Sequence, residues 1–108
     1  MTRNLFVARK SSFDYWTVIF VPTGRWLGRY TEYEAKRIAQ ERNISFTRKH
    51  QFVGKKIGIY DSGGKLIEKR KVIAVDPNPK GMKQGVISVL LDDGYIISKF
   101  SQYFKFEE

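Results

Sequence analysis

Cysteine is absent from the 108-residue chain, and histidine occurs once, at His50. Without thiols there is no disulfide framework, no Cys nucleophile and no Cys-based zinc site, and one imidazole leaves little room for His-centred chemistry. No apolar run approaches the roughly 20 residues of a membrane-spanning helix, so no membrane association is expected. Only Leu5 to Ala8 is apolar ahead of Arg9 and Lys10, which is no signal-peptide core and predicts a cytoplasmic protein. Acidic residues are also scarce, at 11 against 20 Lys and Arg, for a formal charge of +9. That sign excludes a protein that works by imitating DNA, which would have to be acidic.

Aromatic residues are plentiful, at 15% within 42% hydrophobic residues, which argues for a folded domain over a disordered basic tail. The positive charge is concentrated N-terminally. Residues 1–50 hold ten Lys/Arg and four Asp/Glu, and residues 51–108 hold ten and seven. Cations interleaved with Tyr, Phe and Trp are the footprint of a phosphate-backbone binder, because each Lys or Arg near a phosphate releases condensed counterions. Solubility alone can also explain such a charge.

The pattern along the chain predicts an α+β protein in two segments, 1–46 and 47–108, with no internal repeats. In the first, strands are expected at Leu5–Lys10, Tyr15–Val21 and Trp26–Tyr30, with Trp16, Val18 and Phe20 alternating onto one face. Thr31 followed by Glu34 is a capping-box signature that starts a helix at about Glu32. Ala35, Ile38 and Ala39 form its narrow apolar stripe, and Asn43 suits a stop just past Arg42. The second segment reads as strands at Lys55–Tyr60, Leu66–Val75, Val86–Leu91, Tyr95–Phe100 and Phe104–Phe106, separated by turns such as Asp61-Ser62-Gly63-Gly64 and Asp92-Asp93-Gly94. Five strands in so short a stretch suit a small β-barrel.

The run Trp26-Leu27-Gly28-Arg29-Tyr30-Thr31-Glu32-Tyr33-Glu34-Ala35-Lys36-Arg37, with Arg9, Phe13 and Trp16 upstream, resembles the third strand and helix start of the integrase-type DNA-binding domain of plant ethylene-response factors, a domain also found in phage proteins. The resemblance implies a three-stranded antiparallel sheet with one helix (βββα), whose free face reads DNA in the major groove. It implies Arg9, Phe13 and Trp26 as contact residues, with Tyr15 and Thr17 beside them. Ser11, Val21 and Gly24 stand where that family carries further arginines, and Ile19 makes the face more apolar, so the expected binding has low sequence specificity. Residues 52–106 resemble a Tudor-like or Src-homology-like small barrel through Val53-Gly54-Lys55-Lys56-Ile57, the long strand from Leu66, and Val89-Leu90-Leu91-Asp92-Asp93-Gly94. Barrels of this kind bind peptides, methylated side chains or nucleic acid. Tyr60, Tyr95, Phe100 and Tyr103 are available for an aromatic cage, although Phe100, Phe104 and Phe106 read more simply as core.

No catalytic constellation is visible, and no cofactor or metal is expected. Asp92-Asp93 lies in a hairpin turn, His50 has no partner for catalysis or zinc, and Ser62-Gly63-Gly64-Lys65 is too short for a phosphate-cradling loop. The sequence therefore predicts a non-enzymatic accessory protein of phage or mobile-element type, present in the host cytoplasm or nucleoid, that binds nucleic acid, DNA in preference to RNA. Arg3, Arg9, Lys10, Arg25, Arg29, Arg48, Lys49, Lys69 and Lys71 are the expected phosphate contacts, and Phe13, Tyr15 and Trp26 are expected to stack or wedge. Lys65, Lys80 and Lys83 extend the basic stripe or simply guard a strand edge. A second reading is a module that inhibits or redirects a host protein through the apolar outer sheet face of Tyr15, Thr17, Ile19 and Trp26. A third is a structural subunit of a larger particle. Oligomeric state is left open by the sequence.

Overall fold

The computed structural model describes residues 4–107, and the chain divides into two units, Met1–Ile44 and Ser45–Glu108. The first unit is a three-stranded antiparallel sheet followed by a helix. Its strands are β1 (Phe6–Lys10), β2 (Trp16–Phe20) and β3 (Arg25–Tyr30), in the spatial order β1-β2-β3, and the helix is α1 (Glu32–Ser45). Period-two alternation sorts β2 as expected: Phe6 pairs with Phe20, Ala8 with Val18 and Lys10 with Trp16, so these side chains share a face. The helix covers that face. Phe6, Val18 and Phe20 are buried with Ala35 and Ala39, the Phe6 and Phe20 rings lie 5.7 Å apart, and the Lys36 ammonium sits 5.1 Å over the Trp16 ring.

Thr31 and Glu34 form the expected capping box. The Glu34 N–H donates to Thr31 Oγ1 at 3.2 Å, and Glu34 Oε1 accepts from the Thr31 N–H at 3.3 Å. The helix does not stop at Arg42, however. It runs on to Ser45 because the Asn43 side chain, instead of capping its own helix, reaches back to β1: its carboxamide donates to the Phe6 carbonyl at 2.8 Å and accepts the Phe6 N–H at 3.0 Å.

The second unit is a five-stranded antiparallel sheet of β4 (Lys56–Tyr60), β5 (Leu66–Asp76), β6 (Val86–Leu91), β7 (Ile96–Phe100) and β8 (Phe106–Glu107), in the order β7-β6-β5-β4-β8. The unit begins ahead of Phe46 because Thr47 bridges to Val75. A short 3-10 turn, Ser101–Tyr103, precedes the last strand. The expected barrel closure is not found: β7 and β8 are the two edges, with no pairing between them among the described residues. β5 links the two parts of the sheet: Leu66 to Lys71 pair with β4 and Val72 to Asp76 with β6, the latter pairing carrying a register shift between Val72 and Ala74. Ile57 of β4 shares one core with Val72, Val75, Ile87, Val89, Leu91 and Phe104. Phe52 completes it, 4.6 Å from the Phe106 ring and 6.1 Å from that of Phe104. Gly94 takes the positive φ of 94° that the β6–β7 turn demands, its N–H donating to the Leu91 carbonyl at 3.0 Å.

Candidate nucleic-acid interface

The face of the first sheet opposite the helix gathers most of the residues expected from the sequence. Arg9 pairs with Thr17, Val7 with Ile19, and Ile19 with Trp26, which places these side chains together. Beyond Thr17 the β2–β3 register shifts, and Gly28 at φ 88° absorbs the extra residue. Its positive φ would strain any other residue, and a Cβ there would fall 2.8 Å from the Tyr30 hydroxyl and push that side chain aside. The bulge re-aims Arg29, whose guanidinium lies 4.9 Å over the Tyr15 ring. Phe13 continues the group, its ring parallel to Tyr15 within 5° at a centroid distance of 6.2 Å.

Exposure separates the contributors. Phe13 is 69% exposed and Trp26 51%, and Arg9 and Arg29 also face solvent. Thr17 is fully buried, its hydroxyl donating to the Gly28 carbonyl at 2.7 Å, and it has no surface to offer a ligand. Ile19 is 5% exposed, so the apolar patch expected at the centre of this face is not open. Lys10 and Arg25 are exposed, but their pairing with Trp16 and Phe20 puts them on the helix-covered side of the sheet. Arg3 lies outside the described residues.

In the second unit the β4–β5 register brings out a residue that the sequence reading missed. Lys56 stands directly opposite Lys71, and Lys69, two positions along β5, faces the same way opposite Gly58. All three lysines are exposed, and Lys56 and Lys71 make no ion pair among the described residues. Counting outward from the Asp61–Gly64 turn would have set Lys56 against Lys69, and the actual register, with its shift between Ile59 and Tyr60, sets it against Lys71. Arg70, on the opposite face of β5, belongs to a separate acidic group, 2.8 Å from Glu68 and 3.7 to 3.8 Å from Asp93 and Asp92. Arg48 and Lys49 are exposed in the segment after α1, and Lys65, Lys80 and Lys83 are exposed in turns.

The remaining candidates have structural roles. His50 Nδ1 accepts the Phe52 N–H at 3.1 Å and its ring packs edge-on to Phe52 at 4.8 Å. Asp93 Oδ1 accepts the Tyr95 N–H at 3.0 Å, tightening the hairpin. The four aromatics available for a cage do not converge. Tyr95 precedes β7 and Phe100 ends it, about 16 Å apart at strand rise, and Phe100 packs edge-on against Tyr103 at 6.0 Å. Tyr60 is hydrogen-bonded to Glu107, which raises its phenol pKa above the usual value, chiefly through that bond and then through desolvation and the carboxylate's charge. Tyr95 lines a cavity of about 330 Å³ with Ile59, Glu68, Leu91, Asp93 and Ile97.

Among the described residues no group of three or more His, Cys, Asp or Glu could hold a metal ion, and no helix is long and apolar enough to cross a membrane. No protein-family model matches the chain, and neither a curated protein nor a solved structure does.

Proposed function

We propose that the protein is a non-enzymatic nucleic-acid-binding accessory factor that holds DNA mainly through phosphate contacts, with little sequence preference. The observation that carries this reading is the clustering on one sheet face of two exposed arginines, Arg9 and Arg29, with Phe13, Tyr15 and Trp26. Cations beside flat aromatic rings satisfy the two demands of a nucleic-acid chain, neutralised phosphates and covered bases or sugars. The lysine triplet of Lys56, Lys69 and Lys71 supports the same reading. Glu107 stands opposite Lys56 on β8, so this face holds three lysines to one carboxylate, a net positive charge that a phosphate backbone suits. Low specificity follows from how few arginines are placed for bidentate base contacts.

The test is binding of the purified protein to a random-sequence duplex, its single strand and matched RNA across a salt series. Arg9→Ala with Arg29→Ala should weaken binding uniformly across sequences and reduce the salt slope by about two phosphates. The exposed Trp26 favours one other reading, a host-protein partner. In that case Trp26→Ala would dominate the loss and the arginine pair would matter little.

A further inference from the structure

Phe13 is 69% exposed, yet its backbone is held on both sides. Ser11, itself buried, accepts the Phe13 N–H at 3.0 Å on its hydroxyl and donates that hydroxyl to the Phe13 carbonyl at 3.3 Å. The Ser11 N–H donates in turn to the Tyr15 carbonyl at 3.0 Å, closing the turn beneath the ring. Parallel planes at a 6.2 Å centroid separation mean that the Phe13 and Tyr15 rings are laterally offset, a stair whose faces are only partly covered by one another. The Arg29 guanidinium over Tyr15 adds a positive charge at this stair. A large apolar ring held out in solvent by its own hydrogen-bonded turn is a preorganised surface.

We infer that the Arg29–Tyr15–Phe13 stair is a stacking platform for an unpaired nucleobase, so that the protein prefers single-stranded or locally opened nucleic acid. This inference rests on the nucleic-acid reading above and adds the form of the ligand. In a duplex the base faces are already occupied by their neighbours and only edges show in the grooves. Phe13 has no group to read an edge; it offers a ring face, and only an unstacked base has a face to give in return. Arg29 beside Tyr15 stands where the phosphate or plane of the adjoining nucleotide would lie. The platform is indifferent to base identity, since every base has such a face.

The experiment uses the full chain with a labelled mixed-sequence single strand of about 16 nucleotides and the duplex formed from it. Anisotropy is read at several salt concentrations, and 2-aminopurine in the single strand reports stacking directly. The wild type should favour the single strand and quench 2-aminopurine. Phe13→Ala should weaken single-strand binding by about 5- to 150-fold and abolish the quenching, with a much smaller loss on the duplex and the salt slope retained. Phe13→Trp should restore both preference and quenching. Circular dichroism checks that the variants are folded. Equal affinity for the two forms, with Phe13→Ala without effect, would overturn the platform and leave the nucleic-acid reading standing. Binding to neither form at low salt would overturn both.

Discussion

Lys56 and Lys71 face each other directly across the β4–β5 ladder, both exposed, with Lys69 beside them on the same face. Directly opposed like charges cost a few tenths to about 1 kcal/mol, offset in part here by Glu107, which stands opposite Lys56 on β8. Replacing Lys71 by threonine should therefore have effects of opposite sign. The second unit becomes more stable by about 0.2–1 kcal/mol, while nucleic-acid affinity falls and the salt slope drops by about one phosphate. Stability must be followed by circular dichroism, because Trp16 and Trp26, the only tryptophans, both lie in the first unit. A loss of stability in this variant would show that Lys71 serves the fold.

Asn43 is the clamp that holds the edge of the first sheet to its helix. Its carboxamide bonds both backbone groups of Phe6 at 2.8 and 3.0 Å, and truncation removes both of these part-buried hydrogen bonds. Asn43→Ala should destabilise the first unit by about 1–3 kcal/mol, and Asn43→Asp, which keeps the acceptor and loses the donor, by less. Tryptophan fluorescence during denaturant unfolding measures this in the unit concerned.

At the other end of the helix, Thr31 and Glu34 satisfy each other's backbone N–H groups. Thr31→Ala should cost about 0.5–2 kcal/mol, and Thr31→Ser should recover most of it. The same fluorescence transition reports the change.

Tyr60 supplies a pH signature. Its hydrogen bond to the Glu107 carboxylate favours the neutral phenol and raises its pKa above that of the unfolded chain. A group whose folded pKa is raised contributes stability that is fully present below the unfolded pKa, near 10, and is lost as the pH rises through the folded value. In a phenolate absorbance titration one tyrosine should ionise later than the rest. Glu107→Gln should bring it back toward the others, and Tyr60→Phe should remove it.

Much of the first unit was legible because its signals are local. Alternation put Trp16, Val18 and Phe20 on the helix side, and Thr31 with Glu34 marked the helix start. The helix end was misread because Asn43 is used by a strand 37 residues earlier, a partnership that no local pattern encodes. The open sheet was missed for a related reason. Strand count and turn spacing suit a barrel, but whether the edges meet depends on how β5 links the two parts of the sheet. Among the candidate site residues, Arg9, Thr17 and Trp26 were grouped through the domain resemblance, and the strand register does place them on one face. The resemblance could not show that Thr17 is buried with its hydroxyl bonded to Gly28, since that depends on the β3 bulge. Composition and clustering pointed only to Lys69 and Lys71, and the place of Lys56 opposite Lys71 depends on the shift between Ile59 and Tyr60, which no count from the turn reveals.

The proposed binding of a nucleic-acid chain by this charge and aromatic pattern is tested by the salt dependence of affinity for a random-sequence duplex and its single strand from about 50 to 200 mM salt. Expected are measurable binding at the low end, a logarithmic affinity that falls linearly with the logarithm of salt, and a slope that shrinks with Arg9→Ala and Arg29→Ala. No binding of either form at about 50 mM salt, or a slope that the arginine variants leave unmoved, would contradict the nucleic-acid reading.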